Sequence, residues 1–554
     1  MCRSFLFLIS LLLFLQNVQA QNAKLANERL TLLGKIWGFV KYYHPTLSQE
    51  NKDWDSVLLH TIPLVKASQS DAEFNTAIQG MLSAAGWQKV PKPKKKFELA
   101  HWIEADKMLN DENKNELIYL RENLKTKENN FVKFEFQPFP QIVITEKEHL
   151  DLTSPDEKYR LLILFRYWNF VKYFYPNYAE IEKLWEEMLV KFTPRMYFSS
   201  SDDDYQRVLL ELHRCLAENY TPNYCFEEDR LFGKYLLPFK MEIFDNQVVV
   251  SSFLTDSMEK TSPIQIGDMI VSINDRTINA LEKEQNRLAA GSNAQMRRQN
   301  MWNDHISRQT ARGCFISVKR GADTLKLEVK NLAYHDLYQY YQQKRSHAPF
   351  AQTEAWTVLK SEIGYMNVQY LNAENLPQAV KSLEKTKNLL IDLRGTPMNI
   401  SDAFLSYFTH DVQTATKIEY ADAKNIGKWL SADISNFERE PNANAPIYQG
   451  EIFLLINQNT VGLAERMTLA LKTVPNAAII GTPSAGNPIL PSLLKFPGNY
   501  WLGFTATRAF TPSGQQISQK GIVPDVQVPI SLEDLQSHKD VILERAIEWV
   551  RTGK

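Results

Sequence analysis

Apolar residues in Ile36–Tyr43 recur at three-to-four spacing, and so do those in Ser56–Val65. That is the period of one buried helix face. The text LGKIWGFVKYYHP (33–45) returns as LFRYWNFVKYFYP (164–176). The offset is 131, and it also matches Trp54 with Trp185, Pro63 with Pro194 and Phe74 with Tyr205. An offset that stays fixed over so long a stretch marks a duplicated unit. Each copy predicts a helix, a Pro break, then a second and a third helix. The aromatic WxFVKY stripe reads as core rather than as a ligand platform, because it repeats at helical spacing. Between the copies, KVPKPKKKFE (89–98) reads as a solvated basic linker and FVKFEF (131–136) as a strand.

From about Leu237 the pattern changes to short β-rich runs: MEIF, QVVVSSF and SPIQIGDMIVSINDRTI (262–278). CFISVKRGADTLKLEV (314–329) predicts a hairpin turning at Arg320-Gly321-Ala322-Asp323. After a Tyr-rich connector (334–356), IGYMNVQYL, KNLLIDLRGTP, EIFLLINQNT, GLAERMTLALKT and AAIIGTPSAG alternate strand and helix. That alternation implies a mostly parallel or mixed sheet with its turns gathered at one end.

Composition narrows the class. Hydrophobic residues make 44% and charged residues 23% of 554, with a formal charge of −1. This is an ordinary globular balance with no electrostatic signature of nucleic acid or anionic membrane. The start, MCRSFLFLISLLLFLQNVQA, has Arg3, an apolar run and small residues at Val18-Gln19-Ala20. It reads as a cleaved secretory signal and predicts a periplasmic or extracellular protein with no membrane span afterwards. Cys215 and Cys225 form a bridge or remain buried thiols, and Cys314 stands apart. The ten His show no metal-ligand spacing, so no metal or cofactor is expected.

Two resemblances follow from these texts. Residues 262–278 resemble the second half of a PDZ domain, with Gly267-Asp268 making the tight turn into a strand. PDZ domains capture peptide C-termini by strand addition. The resemblance implies peptide contacts near Gly267, Asp268 and Phe239, although LLPF (236–239) lacks the usual glycines of the carboxylate loop. The alternative is a β domain acting only as spacer or lid. The C-terminal texts IGYMNV, LLIDLRG, the strand–turn–AE-helix, IIGTPSAG, TPSG and GIVPDV resemble the catalytic domain of S41 peptidases, the tail-specific or C-terminal processing proteases, with a ClpP/crotonase-like fold. The expected chain is multidomain α+β. Its parts are a signal (1–20), repeat copies (21–88 and 151–227) around a linker and β segment (89–150), a PDZ-like domain (228–335) and an S41-like domain (336–554).

The resemblance assigns the catalytic positions, and the chain departs from each. The nucleophilic Ser falls on Gly462, three residues before Glu465. The general-base Lys falls in 485–488, where Asn487 stands, and the alternative His falls on Pro222, with Tyr220 in place of Asp. The Gly-Gly of the oxyanion loop after Gly395 reads Met398-Asn399. Ser484 is a turn residue or a substitute nucleophile, with His410-Asp411 and Lys472 as the neighbouring charged candidates. Glu465 is expected to cap its helix, and Asp392 and Arg394 to order strand-end turns. A Ser at Gly462 would complete a capping box with Glu465, so Gly462→Ser is expected to be tolerated or stabilising. The function implied is an exported S41-type chain that binds polypeptides or their C-termini with impaired catalysis. The alternatives are an active endopeptidase with a rearranged site, and an assembly protein binding through the aromatic repeat.

Overall fold

The computed structural model describes residues 2–49, 52–86, 100–122, 130–136, 140–149, 152, 154–199, 201–216, 218, 228–244, 246–337, 355–359, 362–395, 401–438, 440–489, 491–496, 500–537 and 539–553. The linker 89–98, residues 219–226 (with Tyr220, Pro222 and Cys225) and Met398-Asn399 lie outside them. The chain divides into two compact units. One is Met1–Cys215 with Tyr420–Leu430 and Ser492–Ala506; the other is Leu216–Glu419 with Ser431–Pro491 and Thr507–Lys554. Among the described residues, no helix is long and apolar enough to cross a membrane. Cys215 and Cys314 are free thiols.

In the first unit, copy one supplies helices Cys2–Tyr43, Pro45–Gln49, Trp54–Ala67 and Asp71–Ala85. Copy two supplies Glu157–Phe174, Tyr178–Tyr197 and Asp202–His213. The last helix of each copy is N-capped by a serine at the same repeat position. Ser70 accepts from Glu73 N–H and Ser201 from Asp204 N–H, both at 3.2 Å. The aromatic box is core. Trp37 and Trp54 donate their indole N–H groups to each other's carbonyls at 3.1 Å, and Trp168 and Trp185 repeat the exchange at 2.8 and 3.0 Å. All four are at most 1% exposed, which leaves no face for a ligand platform.

Several residues touch their own repeat counterparts. Gly34 packs on Phe165 and Gly38 on Asn169. Tyr42 meets Tyr173 with ring centroids 5.4 Å apart, and Lys66 reaches Tyr197. A group can meet its own copy only near a two-fold axis, so the two copies fold as a fused pseudo-dimer. The buried charges follow the same symmetry. Asp55 is paired by Lys41 of its own copy (3.6 Å) and by Arg166 of the other. Its counterpart Glu186 is paired by Lys172 and Lys35, both at 2.5 Å. Burial pushes the Asp55 carboxyl up, but Arg166 and Lys41 outweigh it and hold it below the ordinary value. Glu146 breaks the symmetry by adding a second anion to Lys41 and Arg166 at 2.5 and 2.6 Å. Two hairpins join this unit, Val132–Phe136 with Pro140–Ile144 and Ser492–Phe496 with Tyr500–Phe504. Ser492 Oγ accepts from Ile142 N–H at 2.8 Å.

The second unit holds two sheets that position the candidate site. In the β domain, Phe239–Phe244, Gln247–Phe253, Met269–Ile273, Gly313–Arg320 and Asp323–Lys330 pair in the order last-fourth-third-second-first. The expected hairpin turns at Arg320-Gly321-Ala322-Asp323. The larger sheet runs Trp356–Leu359, Ile363–Asn367, Asn388–Asp392, Glu451–Ile456, Ala478–Gly481 and Val526–Gln527, parallel from its second strand onward. Its strands are covered on both faces, which is why they read as unbroken apolar runs. Leu389, Ile391, Leu454 and Ile456 face one core with Met467 and Leu471. Leu390, Phe453 and Leu455 face the other with Ile542 and Ala546 of the C-terminal helix.

The axis contact yields a test. A Cβ on Gly38 would stand 2.0 Å from the Asn169 side chain, whose Nδ2 donates to the Gly34 and Phe165 carbonyls. Gly38→Ala is expected to lower stability by about 1–3 kcal/mol through overpacking. Gly38→Ala with Asn169→Ala should cost less than the two single changes added, read from urea midpoints. Strict additivity would remove the contact from the pseudo-dimer axis.

Candidate functional site

The parallel strands end at Asp392, Ile456 and Gly481. The crevice beyond the carboxyl ends of such strands is where open α/β sheets place their sites. The loop after Ile456 leads into helix Leu463–Leu471 through Gly462, which adopts φ +61° and ψ −115°. A strained strand-to-helix turn of this kind carries the serine of a nucleophile elbow. Here it carries no side chain, and an ideal Cβ placed on Gly462 meets nothing within 4 Å. The expectation that Ser is tolerated or stabilising at Gly462 is therefore corrected. It assumed an extended N-cap, whereas this backbone favours glycine. Only half of a capping box exists: Glu465 Oε2 accepts from Gly462 N–H at 3.3 Å.

Glu465 does more than cap. Fully buried, its carboxylate also accepts from Ser484 Oγ at 2.5 Å and from the N–H groups of Gly486 and Asn487 at 2.8 Å each. It thus binds the turn at Gly462 to the turn at Gly486-Asn487. Asn487 completes the clasp through its carbonyl, which accepts from Gly462 N–H at 3.1 Å. The Ser484 hydroxyl is committed on both sides, donating to Glu465 and accepting from Ile522 N–H at 2.7 Å. The structure therefore brings Gly462, Glu465, Ser484 and Asn487 together. None of His410, Asp411 and Lys472 joins the hydrogen bonds around Glu465; Lys472 Nζ donates to Ala477 O and Asp525 Oδ2 at 2.7 Å.

The neighbouring strand end is tied in by Thr460 Oγ1, which donates to Leu393 O at 3.0 Å. Asp392 accepts from Tyr365 Oη at 2.8 Å and from the Arg394 guanidinium at 2.7 and 2.9 Å. Arg394 also clamps Asp540, the N-cap of the C-terminal helix, at 2.6 and 2.7 Å. At Gly395, Gln369 Oε1 lies 2.2 Å from where a Cβ would stand, so its amide packs directly on that glycine. The residues assigned to peptide contact hold the β domain together. Phe239 is core (2% exposed) and meets Phe253 edge-on. Asp268 receives Arg320 at 2.6 and 2.7 Å and Gln265 N–H at 2.8 Å. Gly267, at φ +87°, forms the turn.

Sequence reasoning missed the residues by which the β domain meets these loops. Ser292 Oγ donates to Ala485 O at 2.9 Å, and Glu242 hydrogen-bonds Gln458, whose Oε1 accepts from Thr482 Oγ1 at 3.3 Å. These residues lie far apart in the chain and in no shared motif, so no local signal marks them.

Residues 362–528 match the model of Peptidase family S41, and residues 233–294 match that of the PDZ domain. The chain is 25% identical over 171 residues to the carboxy-terminal processing protease CtpA of Bacillus subtilis (strain 168), covering 30% of this chain and 35% of that protein. It is 22% identical over 295 residues to a probable CtpA-like serine protease of Staphylococcus haemolyticus (strain JCSC1435), covering 52% and 51%. The matches thus span about a third to a half of these relatives' length. The structure of mature CPAF complexed with lactacystin aligns with a TM-score of 0.50 at 13% identity, over 71% of this chain and 97% of that one, a likeness of fold.

Two outcomes follow from the geometry. Gly462→Ser is expected to cost about 1–3 kcal/mol, because it forces a side chain into the positive-φ turn. A urea midpoint equal to or above wild type would remove the strained elbow. Burial pushes the Glu465 carboxyl up from 4.5 to about 7, against the pull of its four donors. Between those values the folded chain holds a proton that the unfolded chain has released. Stability from this group is therefore full at low pH, falls as pH rises through the window and levels off above it. The difference in urea midpoint between wild type and Glu465→Gln should shift with pH from 4.5 to 7, and a constant difference overturns the assignment.

Proposed function

Since the chain carries a peptidase family S41 domain and a PDZ domain, we propose that it is an exported polypeptide-binding protein whose acyl-transfer chemistry is impaired. The observation that carries this reading is Gly462. It sits in an elbow turn with open space in front of it and no nucleophile on it. Serine peptidases need a hydroxyl there and a base within hydrogen-bond reach. The base position supplies only the Asn487 main chain, bound to Glu465 and Gly462. Ser484, the one substitute within the cluster, has its hydroxyl engaged on both sides. Removing a catalytic serine leaves at most the slow residual rate supplied by binding and oxyanion groups.

The ligand in this reading is an unfolded chain or a C-terminal tail, taken by the crevice at the strand ends with the β domain beside it. Export follows from the apolar leader, with residues 1–20 removed.

The test is a cleavage assay on the purified chain lacking residues 1–20. Reduced casein is incubated with wild type and with Gly462→Ser, fragments are read by mass spectrometry, and capture is read by fluorescence anisotropy of labelled casein. The expected result is capture without fragments from wild type. Fragments from wild type overturn impaired catalysis, and absence of capture overturns polypeptide binding. Fragments from Gly462→Ser alone show that the remaining groups still work.

A further inference from the structure

Phe239–Phe244 is the terminal strand of the β-domain sheet and pairs with Gln247–Phe253 on one side only. The open side of such an edge strand offers unpaired N–H and C=O groups to any incoming strand. Helix Ala294–Asn300 and the π-helical turn Met301–Ile306 pack alongside it.

At the middle of that edge, both main-chain groups of Met241 are already occupied. Its N–H donates to Asn303 Oδ1 at 3.0 Å. Its carbonyl accepts from Asn303 Nδ2 at 3.2 Å and also from Gln299 Nε2. One carboxamide thus presents an acceptor and a donor to the two polar groups of a single residue. An added antiparallel strand makes the same exchange at a hydrogen-bonded pair. Gln299 and Asn303 are four residues apart, which brings them to the same helix face. The segment that carries them is itself held. Glu282 Oε1 accepts from Arg298 Nε and Trp302 Nε1, both at 2.7 Å, and Trp302 is fully buried. Asn300 Nδ2 donates to Ala290 O at 3.1 Å.

We propose that Asn303 and Gln299 form an intramolecular latch on the β domain: their amides fill the Met241 position of the edge strand, and an extended peptide adds there only when they let go. The latch rests on the polypeptide-binding reading above and adds the point at which binding is restrained. Met241 is buried and its polar groups are satisfied, so release without a replacement strand would leave an N–H and a C=O unpaired. An incoming peptide must therefore supply both bonds at once, which selects extended chain over single polar ligands.

The test uses the whole chain lacking residues 1–20. Hydrogen exchange at the Met241 amide is followed by mass spectrometry. Binding is followed by anisotropy of a fluorescein-labelled decapeptide ending in Val-Ala-Ala with a free carboxylate. Asn303→Ala is expected to speed Met241 exchange at least tenfold. Gln299→Ala with Asn303→Ala is expected to bind the peptide at least tenfold more tightly than wild type. Unchanged exchange, or unchanged affinity, overturns the latch. Should the double variant melt early, Asn303→Asp keeps the acceptor and loses the donor. It is then expected to bind the peptide more tightly than wild type, and an affinity equal to wild type overturns the latch. Casein capture by wild type without a gain in peptide affinity overturns the latch alone. A gain in peptide affinity without casein capture overturns the function reading alone.

Discussion

The buried carboxylate of Glu465 is the interaction on which the candidate site depends. Taking a carboxylate out of water is costly unless donors surround it, and Glu465 gathers four from three places in the chain: Gly462, Ser484 and the Gly486–Asn487 turn. The loops after two neighbouring strands are thereby fixed relative to each other, and Ser484 carries the tie onward to Ile522. The arrangement does not require a nucleophile. It holds the turn at Gly462 in shape without any side chain on that residue.

The helical unit shows a different economy. One set of contacts is used twice about a pseudo-two-fold axis: indoles exchanging hydrogen bonds with carbonyls, and a carboxylate held between a lysine of its own copy and a cation of the other. Breaking one partner of such a buried pair typically costs about 3–5 kcal/mol. Where the paired groups differ between the copies, charge is kept: Lys35 stands against Arg166 and Asp55 against Glu186. At two positions on the axis the counterparts differ in size: Gly34 leaves room for Phe165 and Gly38 for Asn169, whereas Tyr42 and Tyr173 meet ring to ring.

Within the second unit, the β domain touches the loops around Gly462 through polar contacts. Ser292 reaches the Ala485 carbonyl and Glu242 reaches Gln458. Burial raises the Glu242 carboxyl above its ordinary value, so the contact is made by a group already partly out of water. The domain's edge strand has one residue, Glu242, directed to the elbow loop while the next, Met241, is held by Asn303. Met241 is bound through its main chain and Glu242 through its side chain, which lets one short strand serve both contacts.

The repeat, the strand runs, the hairpin at 320–323, the α+β class and the S41 and PDZ likeness are all legible along the chain. Each is written in local order: helical period in Ile36–Tyr43, apolar runs at Leu389–Ile391 and Ile452–Ile456, a fixed offset between copies. Through the S41 resemblance the sequence also singled out Gly462, three residues before Glu465, as the position expected to hold the nucleophile. The surroundings of that position emerge only on folding. The backbone angles of Gly462, the four donors on Glu465, the commitment of Ser484 and the capture of Met241 by Asn303 all depend on residues brought together from distant parts of the chain. Periodicity reports which face of an element is buried; it carries no information on which polar groups meet inside, and those meetings set the chemistry.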